Sequence, residues 1–459
     1  MKIHILNFKL LGFFVLITIF FSCEEMIEID LPSNQINTET VFKDINTAEA
    51  ALASLYINIR ENSIFNGGYA GMGTILGLYS DELVSFGTNT FLSNPDFYNN
   101  NLLSSNSIVN TYWTNSYSHI YAINAFIEGL NASVSIGEDD KQIFLGEAFL
   151  LRALYYQYLT QLFGDIPYTT TTDYKYNSKI SKTNQLDVLV KVEADLKLAL
   201  ELLPTDYRHS ERIYPNQAVA ELLLAKNYLL QKQYDKAALF SKKVLDNSSY
   251  RLEQDLEKVF KKTAQSTLWQ LGTKDSGVST MEAMNYIFFS QPNGYYLDIN
   301  FIDEFEDIDL RKEKWISVIK KDDQKWHHAS KYKSYKNNTD EFSVLFRIEE
   351  LYFIYAESLI NLNRIDEAIY NVNLIRNRSG LMDLPLNLSK EESVLALLNE
   401  SKKEFFTEQG LRFFILKRNN LLDLLEKSKP NWKEFNKILP YPERELFLNP
   451  NILPQNEGY

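Results

Sequence analysis

The sequence predicts a mainly α fold: a helical-repeat scaffold carrying a second, more irregular and loop-rich lobe. Three observations lead there. Apolar residues recur at three- and four-residue spacing through much of the chain, the signature of helices buried on one face. Two stretches repeat one another as helix–turn–helix units. Only 17 Gly in 459 residues argues against a fold rich in sheets and tight turns.

Taken in order, the helical windows are Thr47 to Arg60, Thr111 to Leu130, Asp139 to Phe163, Leu186 to Leu203, Asn216 to Leu230, Tyr234 to Asn247, Leu345 to Leu362, Ile365 to Arg378 and Lys390 to Arg418. The repeat lies in the later ones. Ala225, Tyr228 and Ala237 stand as small, large, small, and Ala356, Leu359 and Ala368 follow at identical offsets. Both units break near the middle, at Gln231-Lys232-Gln233 and at Asn361-Leu362-Asn363. The unit is about 34 residues long, the length of a tetratricopeptide repeat, and its small residues let the paired helices approach closely. Further worn units are expected among the helices of the first 205 residues.

Four stretches resist the helical reading: Ser63 to Gly77, Ser85 to Asn101, Leu271 to Asn300 and Lys320 to Asp340, rich in Gly, Asn, aromatics and charge. They are expected to be long surface excursions, where binding residues tend to lie.

Composition narrows the function. With 47 Lys+Arg against 60 Asp+Glu, the net charge of -13 disfavours nucleic acid, whose phosphates need basic patches. The chain's 1 Cys excludes an internal disulfide framework. At the N-terminus, Lys2 and Lys9 precede the uncharged run Leu10 to Phe21, which ends at Ser22-Cys23 and is followed by Glu24-Glu25. Such a run falls short of the roughly 20 residues a membrane span needs but fits a secretory leader. The only Cys sits where cleavage leaves an N-terminal cysteine for lipidation. Residues 1–22 are therefore read as a lipoprotein signal peptide and Cys23 as the lipidation site. Loss of Lys2 and Lys9 takes the net charge from -13 to -15. No later run is long and uncharged enough to span a bilayer, so the expected anchor is acyl chains alone.

Enzyme signatures are absent. There is no Gly-x-Ser-x-Gly and no Gly-x-x-x-x-Gly-Lys, and Gly71-Met-Gly73 with Gly77 misses the dinucleotide spacing. Adjacent His327-His328 near Asp322 and Asp323 lack helical ligand spacing and read as a solvated turn. Acid pairs such as Asp81-Glu82 and Glu349-Glu350 carry little information among so many acids. No cofactor, catalytic residue or metal site is expected. Other polar residues read as structural: Arg152, in an apolar helix, needs a carboxylate or carbonyl partner, and so does Glu357 beside Ala356. Arg347 and Glu350 should bond each other or a neighbouring helix. Gly164 suits a helix C-cap, and Trp113, Trp269 and Trp432 read as core.

Several longer motifs, in order along the chain, resemble the SusD/RagB family of outer-membrane nutrient-binding lipoproteins of Bacteroidetes. Trp113, Tyr117 and Asn124 have family-like spacing in the helix from Thr111. EAFLLRALYYQYLTQLFGDIPY (147 to 168) looks like the family's Arg-Ala-hydrophobic-aromatic helix ending in Phe-Gly-Asp-x-Pro. NFIDEFEDIDLRK (300 to 312) is similar to its acidic segment ending in Asp-x-Arg. FRIEELYFIYAESLINLNRIDEAIYNVNLIRNRSGL (346 to 381) matches its Arg-x-x-Glu, Ala-Glu and Asn-x-x-Arg spacing. EFFTEQGLRFFILKR (404 to 418) and YPERELFLNPNILPQNEGY (441 to 459) resemble its closing motifs. Leu411, Ile415 and Glu457 depart from the family pattern at scaffold positions.

The resemblance implies a tetratricopeptide-based α-fold with a ligand held mainly by the irregular lobe. The expected division is 1–22 signal peptide, 23–270 N-terminal helical region, and 271–459 C-terminal region with ligand-binding loops and a further hairpin. It also implies a non-catalytic lipoprotein of the outer membrane, facing the exterior, that passes oligosaccharide to a TonB-dependent transporter. A peptide ligand for the same family is the alternative. A hydrolase with an eroded signature and a purely scaffolding repeat protein are weaker readings.

A sugar surface needs flat rings for pyranose C–H faces with amides and carboxylates beside them. Phe86, Asn89, Phe91, Phe97, Tyr98 and Asn99 have that composition, as do Tyr295, Tyr296 and Asp298. Trp326, flanked by His327, Lys331 and Tyr332, is the leading single candidate because its polar neighbours argue against burial. The competing reading for each ring is that it tucks under its own loop or meets a partner protein.

Overall fold

The computed structural model describes residues 41–459. The expected leader, residues 1–22, and the expected lipidation site Cys23 lie outside the described residues. The long helices are α1 (Ile45–Asn62), α2 (Met72–Tyr79), α3 (Ser107–Ala132), α4 (Glu138–Phe163), α5 (Gln185–Leu202), α6 (Gln217–Leu230), α7 (Tyr234–Leu245), α8 (Ile348–Asn361), α9 (Ile365–Arg378), α10 (Lys390–Phe405) and α11 (Leu411–Arg418). Starts follow capping chemistry. Asp44, Asn106, Asn184 and Asn216 accept from first-turn N–H groups, and Ser389 with Glu392 forms a full capping box on α10.

The two repeats fold as predicted. Ala225, Ala237, Ala356 and Ala368 are each 0% exposed, which seats the helices of each pair against one another. Both hairpins turn at a residue of positive φ in the same register, Lys232 (58°) and Asn363 (58°). Helix α7 packs against both α6 and α8, so the hairpins stack, and α4, α5 and α6 continue the array toward the N-terminus. Trp113, Trp269 and Trp432 are buried as expected. Among the described residues no helix is long and apolar enough to cross a membrane.

Short strands build the irregular lobe. Strands β1 (Leu83–Ser85), β5 (Tyr295–Leu297), β7 (Gln324–Ala329) and β6 (Ile316–Lys321) form an antiparallel sheet in the order β1-β5-β7-β6. Strand β4 (Thr267–Leu271) pairs with β8 (Ser343–Arg347), and β2 (Ile166–Pro167) with β3 (Lys182–Thr183). Tyr295, Leu297, Ile316 and Ala329 turn to a core shared with Leu78, Phe260, Trp315 and Phe406.

Four expectations are corrected. The window Lys390 to Arg418 is two helices, broken where Thr407 (62°), Gln409 (48°) and Gly410 (67°) all take positive φ. The break is worth its local strain because it turns Glu408 toward Arg347 and Lys331. Leu345 to Arg347 belongs to β8, where ladder bonds to β4 outcompete helix formation. Ser63 to Gly77 is no surface excursion: α2 is buried throughout, and a Cβ on Gly73 would lie 2.3 Å from the Thr407 carbonyl oxygen. His327 and His328 lie in β7 rather than a turn; Asp322, at φ 53°, makes the β6–β7 hairpin.

Candidate functional site

Five elements meet at a cleft of about 410 Å³. The glycine-rich segment before α2 brings Tyr69, and the short helix Met281–Tyr286 brings Met284 and Asn285. The turn after it supplies Phe288, β5 supplies Tyr295, and the loop following β7 supplies Tyr335. Gly294 admits β5 to this corner: a Cβ there would lie 3.2 Å from the Leu92 carbonyl oxygen.

Rings ride on both sides of the opening. Phe91, 58% exposed, leans on Tyr69 with centroids 4.8 Å apart. Phe289, 70% exposed, meets Tyr335 edge to face at 5.0 Å. An exposed Phe costs hydrophobic free energy, so two such rings beside one concavity mark a contact surface more than a core. The floor is polar and pre-organised. Tyr295 donates its hydroxyl to Asn285 Oδ1, Asn285 donates to Thr74 Oγ1 at 2.8 Å, and Thr74 meets the Tyr286 hydroxyl at 2.9 Å. Burial drives the Tyr286 hydroxyl far above its ordinary pKa, so it stays neutral.

The outer face of the sheet adjoins this cleft. Strand alternation puts Trp326 and His328 on one face and His327 and Ala329 on the other. Trp326 meets Phe86 at 6.0 Å, Phe86 meets Tyr296 at 5.7 Å, and the His328 ring lies 4.7 Å from Phe288 of the cleft. Tyr98 carries the Lys429 ammonium 3.9 Å above its ring, and the charge of Asp298, after burial, raises the hydroxyl pKa of both Tyr98 and Tyr296.

The sequence-predicted residues therefore divide. Tyr295 lines the cleft and Phe91 borders it. Tyr296 and Trp326 share the adjoining face, with Tyr98 and Asp298 beside it. The expectation that polar neighbours keep Trp326 exposed is overturned: it is 4% exposed, because Phe86 packs on the ring, strand alternation turns Lys325 and His327 to the other face, and Lys331 and Tyr332 are themselves buried. Phe97 is fully buried. Asn89 spends its side-chain oxygen capping the turn Thr90–Ser93, and the Asn99 carbonyl accepts from Asn431 at 3.0 Å. Neither lines the cleft. Sequence reasoning missed Tyr69, Asn285, Phe288, Phe289 and Tyr335. The pair Phe288-Phe289 before Ser-Gln-Pro-Asn-Gly was the available signal, since two large rings before a turn cannot both be buried easily.

The acid pairs are structural. Asp81 is chelated by Arg412 at 2.8 and 2.9 Å and bridged by Lys402 at 2.9 Å. Burial pushes the Glu82 carboxyl up to about 8, with the Asp81 charge adding to it. Arg152 finds its predicted carboxylate in Asp195, at 2.7 and 2.8 Å, and Glu357 finds Arg418. Arg347 and Glu350 take separate partners, Glu404 and Lys226.

Known proteins share this architecture. The family model described as "Starch-binding associating with outer membrane" matches residues 30–229, and that of the SusD family matches 313–459. SusD-like protein P2 of Formosa agariphila is 25% identical over 511 residues, covering 97% of this chain and 99% of that protein. A SusD superfamily protein from Bacteroides vulgatus superposes with a TM-score of 0.79 at 21% identity, over 92% of this chain and 100% of that one. A laminarin-binding SusD-like protein gives 0.77 at 21% identity, over 91% and 100%. With its stacked hairpins, its irregular sheet-bearing lobe and both family models in register, the chain belongs to the SusD/RagB family.

Proposed function

We propose that this protein is a non-catalytic surface lipoprotein that captures oligosaccharide in the aromatic cleft and delivers it to a TonB-dependent outer-membrane transporter. The observation that carries the reading is the pairing of exposed rings, Phe91 on Tyr69 and Phe289 on Tyr335, around a floor of fixed amide and hydroxyl groups. Rings supply flat faces for sugar C–H groups, and Asn285 and Asn293 can exchange hydrogen bonds with hydroxyls. Glycoside hydrolysis needs two carboxyl groups flanking the bond. Among the described residues the cleft lining contains no Asp, Glu or His, which supports binding without turnover. The laminarin-binding protein of the same fold supports a glycan ligand. The half-buried Tyr296, Tyr98 and Asp298 would extend the surface to longer chains, with Trp326 buried beneath Phe86 as their support. Lipid attachment at Cys23 would hold the protein to the outer membrane, facing the exterior.

Calorimetric titration of the mature chain against laminarin and other soluble glycans tests the capture step, repeated with Phe289→Ala and Tyr335→Ala. Saturable binding weakened in both variants is expected. Binding of a peptide pool with no glycan binding would move the protein to the peptide reading, and failure to co-purify with a barrel from its native membrane would remove the delivery step.

A further inference from the structure

The helical scaffold contains a second concavity, of about 610 Å³, that shares no lining residue with the aromatic cleft. It lies where the C-terminus of α4, the N-terminus of α5, the α6–α7 turn and the end of α11 converge, closed by Tyr441 and Asn456 of the C-terminal segment. Its lining holds five basic side chains against two acidic ones, in a chain whose net charge is -13.

Few of these cations are neutralised. Arg418 is spoken for, bonded twice by Glu357 at 2.6 and 2.7 Å. Asp165 spends Oδ1 on the Gln185 amide at 2.9 Å. Lys437 reaches only Glu434, itself largely solvated. Lys182 donates to the Pro454 carbonyl at 2.7 Å and lies 4.8 Å over the Tyr441 ring; among the described residues no carboxylate is in salt-bridge range, and Asp165 acts on it only from farther off. Lys417 is the most confined: its ammonium donates to the Gln161 carbonyl and, among the described residues, to no acid. Burial, with the charge of Lys437, lowers its pKa to about 7. The last carbonyls of α4 are all engaged: Thr160 accepts from Gly164 and Gln185, Leu162 from Leu439 and Phe163 from Asn456, while the neutral Gln161 carbonyl holds Lys417 without cancelling its charge.

We propose that this pocket is an oxyanion site, taking a sulfate or carboxylate group, with Lys417 as its confined cation and Lys182 and Lys437 as accessory cations. Confining an ammonium without a counter-charge is expensive, and an anion entering the pocket removes that cost. Two sources offer this chemistry: a free inorganic anion, or the charged substituent of an acidic saccharide, for which the volume suffices.

The test titrates the purified mature chain at pH 6 with sodium sulfate, then with a sulfated oligosaccharide and its desulfated counterpart, chloride holding ionic strength constant. Saturable sulfate binding is expected, weakened about tenfold or more in Lys182→Gln/Lys437→Gln and further in Lys417→Met, since each charge-assisted bond is worth roughly 1.5 kcal/mol or more. Preference for the sulfated saccharide over sulfate identifies the saccharide as the source; equal or weaker binding identifies the free ion. Should Lys417→Met fail to fold, the double variant decides alone. No saturable binding of either anion, or a double variant indistinguishable from wild type, overturns the proposal. Tyr335→Ala in the aromatic cleft should leave sulfate binding unchanged; its loss there would place the anion in the cleft and also overturn it.

Discussion

Replacing Glu404 by Gln tests the buried charge network that joins the irregular lobe to the last hairpin. Glu404 is fully buried and accepts from three guanidiniums: Arg347 at 2.6 Å, Arg311 at 3.2 Å, and Arg378. Around it Arg311, Arg347, Arg376, Arg378 and Lys331 are met by Asp309, Glu349, Glu400, Glu404 and Glu408, so each cation has a carboxyl partner. Burial alone would raise the Glu404 carboxyl; the charges of Arg378, Arg347 and Arg311 overcome it and hold the pKa far below the carboxylate range. Glu404→Gln leaves one buried positive charge uncompensated, which costs about 3–5 kcal/mol in comparable sites. Glu349 softens the loss. Its pKa is raised by burial and partly by the Glu404 charge, so without that charge it ionises more readily and supplies part of what is missing. The expected destabilisation is therefore near the lower limit, ~3 kcal/mol, or a fall of roughly 3 °C in Tm for a chain of this length. A depressed carboxyl contributes stability that is present above its unfolded pKa of about 4.3 and is lost as pH falls through the folded value. The difference between variant and wild type should be full at pH 7 and shrink in acid. Calorimetric Tm and urea midpoints at pH 7 and pH 4 measure it, with Asp246→Asn at the exposed Lys242–Asp246 pair as the control expected to cost under about 0.5 kcal/mol. A Glu404 variant no less stable than that control would refute the reasoning.

Glu82→Gln should act the opposite way with pH. A carboxyl raised to about 8 keeps its proton in the fold and loses it in the unfolded chain, so wild-type stability declines from about pH 5 to pH 8; the amide is immune, and thermal melts across that range should show the variant gaining on wild type as pH rises. Parallel curves would show that Glu82 is ionised in the fold. Gly73→Ala should destabilise by about 1–3 kcal/mol, since its Cβ meets backbone 2.3 Å away that cannot rotate aside; an unchanged Tm would show that α2 and the segment at Thr407 can separate freely. Phe289→Ala should lower glycan affinity about tenfold at unchanged Tm, because the ring is 70% exposed and contributes little to the core. A loss of stability without loss of binding would identify Phe289 as structural.

The helical half of the molecule was legible because its signal is local. Periodicity located α1 and α3 to α9 to within a few residues at each end, and the matched alanines placed both hairpins in register. Arg152 and Glu357 were read correctly as cations and anions in search of partners, although Asp195 and Arg418 could not be named. The irregular lobe was less legible. Strands of three to six residues leave too short a pattern, and the break after α10 depends on Thr407 and Gln409 adopting a positive φ that neither prefers, held there by contacts to distant chain.

The candidate site shows the same division. Composition pointed to Tyr295, which lines the cleft, and to Phe91, which leans on Tyr69 at its edge. By itself the sequence determined the helical repeats, the family resemblance and the kinds of side chain available for binding, because these depend on spacing and residue type along one segment. Only the tertiary structure decided which rings are free. Trp326 is covered by Phe86 and Phe289 is left open by contacts between segments far apart in the chain, and burial of a ring is settled by what packs over it, not by the polarity of its sequence neighbours.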